Sequence, residues 1–167
     1  MTRIALTGAA LIALLTPALA DDGCDKFAWP LTNERAQLTA PDKPVVKAGD
    51  TLAAVPKTAF TLQLQPGTEA AFLMPPERKP KAEHWFGGVL RLPAPDKPGI
   101  YQVTLSEEAW LDVLQDGRYA RTVGFSGRGD CPGLRKSVRF EVTAAPMALQ
   151  VSGVAGDKIA VTMGPRD

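Results

Sequence analysis

Histidine is almost missing from this chain. His84 stands alone. A non-haem iron oxygenase needs two histidines and a carboxylate on one face of its metal, and a zinc hydrolase centre needs comparable imidazole. Neither can be assembled from one ring. After residue 20 the serines are Ser106, Ser126, Ser137 and Ser152, and none stands in a Gly-x-Ser-x-Gly elbow. Gly124-Phe125-Ser126-Gly127 is the nearest approach. No glycine loop with its lysine is present to cradle a phosphate. Charge of one sign is missing too. Beyond Arg3, eighteen basic side chains face eighteen acidic ones, so nothing favours nucleic acid or an anionic membrane surface. Glu107-Glu108 is the one tempting carboxylate pair. Adjacent residues on a strand point to opposite faces, so a solvated turn is expected there instead of glycosidase chemistry.

Cysteine is scarce, and its two copies are informative. The chain opens with a short basic stretch, Met1–Arg3. An apolar run follows from Ile4 to Leu15, then Pro17 and the small residues Ala18 and Ala20. The run is too short to span a bilayer and has the layout of a cleaved export signal. Cleavage is expected after Ala20, with a single domain over residues 21–167 and the periplasm as its compartment. Asp21, Asp22 and Gly23 precede Cys24 where a lipobox would have leucine and small apolar residues. In an exported chain, Cys24 and Cys131 are most economically read as one disulfide. They lack Cys-x-x-Cys spacing, so no metal role and no cofactor is expected of them.

What the chain has in quantity is turn residues. Fifteen prolines and fifteen glycines punctuate many short segments. Phe27 to Leu38 reads as a short helix, with Pro30 in its first turn and Leu31, Arg35 and Leu38 at helical spacing; residues 21–40 form an N-terminal helical segment. Alternation then takes over. Phe60, Leu62 and Leu64 read as a half-buried strand, as do Tyr101, Val103 and Leu105, and Val138, Phe140 and Val142. Val89 to Leu92 and Leu111 to Val113 add others, with Leu149 and Val151, then Ile159, Val161 and Met163, closing the set. Asp116-Gly117 is a hairpin signal. Ala-Pro-Asp-Lys-Pro occurs at residues 40–44 and again at 94–98, each time where a strand should begin, and reads as reused turn chemistry. Short strands separated by turns predict an antiparallel sandwich.

Pro98-Gly99-Ile100-Tyr101-Gln102-Val103, then Trp110-Leu111-Asp112-Val113, the Asp116-Gly117 turn, a Gly-rich crossing to Cys131 and the paired segments Lys136–Val142 and Met147–Val151 resemble bacterial pre-peptidase C-terminal domains. The resemblance covers roughly residues 85–163. It implies an all-β, single antiparallel jelly-roll-like sandwich with a short N-terminal helix and one disulfide, of a kind that binds or shields without catalysis. The Cys24-Asp25-Lys26-Phe27-Ala28-Trp29-Pro30 start and the Cys131-Pro132-Gly133 to Val138 segment also resemble a group of small exported proteobacterial proteins of unassigned role. Some of that group are labelled homogentisate dioxygenase, an activity that the single histidine cannot support.

Candidate binding residues follow from aromatic and turn positions. Residues 75–85 form a proline-rich, charged loop expected to be exposed, and His84 and Trp85 at its end could offer a flat apolar face with a polar tip. Trp85 and Phe86 could equally re-enter the core. Trp110, beside Leu111, either packs in the core or serves as a surface platform. Arg128 and Asp130 sit in a glycine-rich turn leading to Cys131. The expected role is a non-catalytic binding or accessory module for a small molecule, a glycan or a periplasmic protein, not membrane-embedded. The rivals are an enzyme, through the dioxygenase label or a carboxylate-based hydrolase, and a structural subunit of an envelope complex.

Overall fold

The computed structural model describes residues 23–166; the expected export signal and its cleavage point lie outside them. Two sheets face each other. Sheet A has the order β1-β2-β11-β5-β9-β8 and sheet B the order β3-β4-β10-β6-β7. The strands are β1 (Val45–Lys47), β2 (Phe60–Gln63), β3 (Gln65–Pro66), β4 (Phe86–Leu92), β5 (Gly99–Leu105), β6 (Trp110–Gln115), β7 (Arg118–Tyr119), β8 (Thr122–Gly127), β9 (Lys136–Val142), β10 (Met147–Val154) and β11 (Lys158–Arg166). Every ladder is antiparallel except β1 on β2.

The alternation seen in the sequence defines the core. Phe60 and Leu62, Tyr101, Val103 and Leu105, Val138 and Phe140, and Ile159, Val161 and Met163 line the inner face of sheet A. Leu90, Leu111, Val113, Leu149 and Val151 meet them from sheet B. A fully buried side chain of this size contributes about 1.5–3 kcal/mol, so this interface holds the sandwich together. Asp116 and Gly117 both take positive φ, 50° and 69°. That is the requirement of a two-residue type I′ hairpin, and it joins β6 to β7 with Gln115 opposite Arg118. Both Ala-Pro-Asp-Lys-Pro segments feed strands, β1 and β5.

Helix α1 (Thr32–Thr39) is shorter than the sequence suggests, preceded by a single 3-10 turn at Cys24–Lys26. Pro30 lies ahead of the N-cap Leu31, not in the first turn, and residues 27–30 are extended or bent. The helix ends at Ala40, which is extended (ψ 139°) because Pro41 follows. Leu31 and Leu38 pack with Phe27, Ala59, Leu134 and Ala160 on the outer face of sheet A. The Cys24–Cys131 disulfide fastens this segment to the turn before Leu134.

The outer face of sheet B is covered as well, by residues 67–85. Gln150, pointing outward from β10, accepts the Leu73 and Met74 amides at 2.7 and 3.3 Å and donates to the Met74 carbonyl at 3.1 Å. Phe72, Met74 and Tyr119 pack on Val89, Leu114 and Ala148. The Tyr119 hydroxyl donates to the Pro75 carbonyl. Most of residues 77–84 is exposed, and the loop is tethered at Pro75 and Glu77.

Candidate functional site

The residues singled out from the sequence all sit at one end of the sandwich, where β4, β6 and β9 begin and β8 ends. His84 is exposed. Trp85 is half-buried, stacked on Phe72 with ring centroids 5.9 Å apart. Its ring fills the space over Gly67, where a Cβ would lie 2.4 Å from the indole. It thus serves to pack the loop onto the sheet. Trp110 points outward from β6. Its indole N–H donates to Asp112 Oδ1 at 2.7 Å, and the Lys136 ammonium and the Arg78 guanidinium lie 5.0 and 5.7 Å from its ring centroid. Arg128 and Asp130 pair with each other through two 3.2 Å contacts, and the Arg128 hydrogen bonds hold the Asp130 carboxyl below the usual carboxylate range.

Asp112 is the buried charge at this end. Its second oxygen accepts the Glu77 amide at 3.3 Å, another tether of the loop. Burial pushes its carboxyl above the ordinary value, against the opposing effect of the bonds from Trp110 and Glu77. Burial also pulls the Lys136 ammonium below the usual lysine range, with Glu108 and Asp112 opposing. Ser152, cross-strand from Trp110, has a buried hydroxyl without a partner among the described residues. Trp85, Trp110 and Asp112 are held by packing and hydrogen bonds, and a cavity of about 340 Å³, lined by Cys24, Phe27, Trp29 and Cys131, lies next to Asp130.

A larger open space lies at the opposite end, about 20 Å away along a strand of this length. There, between α1, residues 53–57, the loop before β5 and the end of β11, a cleft of about 840 Å³ is formed. A second depression of about 550 Å³ adjoins it through Ala53 and Pro93. The larger cleft has a hydrogen-bonded floor. Glu34 of α1 is buried, accepts Gln102 Nε2 at 3.0 Å and pairs with Arg166. Gln102 Oε1 accepts Arg139 Nε at 3.0 Å, and the Arg139 guanidinium stands 4.0 Å from the Trp29 ring centroid. Trp29 Nε1 donates to Ser137 at 3.2 Å. One polar row therefore runs from the disulfide-held segment to the cleft. Burial, and secondarily Asp96, raises the pKa of Tyr101, which lines the cleft beside Asp96.

None of these floor residues was singled out from the sequence. Glu34 lies in the helical segment at i−4 from Leu38, on the buried face, and that spacing was the available signal. Gln102 looked solvent-facing because β5 alternates, and only the helix above it buries it. Among the described residues, no three His, Cys, Asp or Glu side chains are grouped to hold a metal, and no helix is long and apolar enough to cross a membrane. Protein-family models, curated proteins and solved structures were all compared with this chain, and none of them matches it.

Proposed function

We propose that this chain is an exported, non-catalytic binding module with a jelly-roll-like sandwich, working in a periplasm and taking a small organic ligand in the 840 Å³ cleft. The cleft carries the reading. Its volume falls in the range of small-molecule sites, and its floor is fixed before any ligand arrives by the Gln102–Glu34–Arg166 contacts. The strand orders β2-β11-β5-β9 and β4-β10-β6-β7 support the jelly-roll assignment, since they interleave two Greek keys. The Cys24–Cys131 bond is compatible with an oxidising compartment.

The test is thermal unfolding against a small-molecule library. A ligand at a hundred times its Kd adds about 2.7 kcal/mol to stability, and the resulting shift should vanish in Ala54→Trp, which places a large side chain into the cleft from its exposed rim. His84→Ala and Trp85→Ala, at the far end, should leave it intact. Absence of any saturable shift would count against binding. Stoichiometric iron with oxygen consumption on an aromatic diol would overturn the non-catalytic assignment.

A further inference from the structure

Resting on that reading, we infer that the cleft recognises a neutral, polyhydroxylated ligand of one or two sugar rings. The first argument is charge. Glu34, its side chain 7 % exposed, already has its counter-charge in Arg166. The other ionisable groups lining the cleft, Lys57, Asp96 and Lys97, are exposed. A charged ligand would lose hydration without finding an uncompensated buried partner, which is costly. A neutral ligand avoids that loss.

The second argument is the hydrogen-bonding pattern. The Gln102 hydrogen bond and the Arg166 pairing both reach Glu34 through Oε1, and a carboxylate has acceptor capacity beyond these two contacts. The Arg166 side chain is 40 % exposed and retains N–H donors. Thr162 and Tyr101 also line the cleft, from opposite faces of sheet A, and their hydroxyls make no hydrogen bond within the described residues. A carboxylate acceptor, a guanidinium donor and two hydroxyl-bearing residues therefore line one cleft. Adjacent hydroxyls, each able to give and receive, match that set, whereas an ammonium only donates and a carboxylate only accepts. The third argument is the wall. Ala53, Ala54, Val55, Pro93, Met163 and Pro165 are apolar and mostly short, a surface suited to the C–H faces of a ring.

The disulfide-bonded protein is titrated calorimetrically with glucose, maltose, cellobiose and N,N′-diacetylchitobiose, and separately with glutamate, putrescine and inorganic phosphate. At least one saccharide should bind saturably and the charged probes should not. Thr162→Val should weaken that binding by roughly three- to tenfold, the worth of one neutral hydrogen bond. Ala54→Trp should abolish it while leaving the unliganded Tm unchanged. Binding of a charged probe alone, lost in Ala54→Trp, overturns the ligand class and leaves the binding-module reading standing. Saccharide binding that survives Ala54→Trp overturns the site. Silence from every probe overturns the ligand class, and silence from the wider library as well removes the binding reading with it.

Discussion

Removing the disulfide separates a constraint on the unfolded chain from a contact in the folded one. Cys24 and Cys131 are 107 residues apart in sequence. The chain-entropy treatment assigns a loop of that length about 4.8 kcal/mol at 25 °C. For a domain of this size each kcal/mol is worth about 2–4 °C, so Cys24→Ser/Cys131→Ser should lower Tm by roughly 10–19 °C. The native segment should stay in place. Phe27 and Leu31 remain packed on Leu134, the Ala28 amide keeps Ser126 Oγ at 3.0 Å, and Trp29 keeps Ser137 and Arg139. Circular dichroism and urea unfolding, read alongside tryptophan fluorescence of the native baseline, distinguish the two effects. The expected result is a large fall in Tm, a steeper urea dependence because the unfolded chain expands further, and an unchanged native spectrum. A loss under about 1 kcal/mol would refute the entropic reasoning. A native baseline in which Trp29 has become solvated would show that the bond holds the folded contact instead.

Two other perturbations address the cover of sheet B. Gln150→Ala removes three hydrogen bonds and orphans the Leu73 and Met74 amides; it should cost about 2–3 kcal/mol and open trypsin cleavage at Arg78 and Lys81, and an unchanged digestion pattern would contradict the tether. Asp112→Asn should flatten part of the pH profile. Burial raises the Asp112 carboxyl above its unfolded value, so its favourable contribution is complete below the unfolded pKa and declines as pH rises through the folded one. Wild type should therefore lose stability relative to Asp112→Asn as the pH rises above the ordinary carboxylate range of about 4, and urea-melt curves that stay parallel as the pH is raised would refute this.

The strands were legible where alternation was clean. Tyr101, Val103 and Leu105 face inward as the pattern requires, and Asp116-Gly117 makes the turn its residues demand. β8 was hidden because Gly124 and Gly127 interrupt it and its apolar Val123 and Phe125 are exposed at a sheet edge. That composition reads as a crossing. β1 was hidden because its three residues pair in parallel with β2 and bury little. The floor of the cleft depends on Glu34 and Gln102, 68 positions apart, and no local period couples them. Trp110 shows the same limit. Its strand was readable, but only the register with Ser152 and the neighbouring Lys136 shows that it faces outward between cations.

Each sheet carries a cover of non-strand chain, and the two are fastened differently. The one over sheet A is bonded covalently at Cys24 and welded by Phe27, Leu31 and Leu38. The one over sheet B hangs on Gln150, Asp112 and a few ring contacts. Local opening needs only the free energy of the contacts that break. Lifting the first cover requires breaking the Cys24–Cys131 bond or unfolding what it is tied to, whereas lifting the second breaks only hydrogen bonds and packing contacts. One cover is held by a bond that cannot re-form without an oxidant, the other by contacts that re-form on their own.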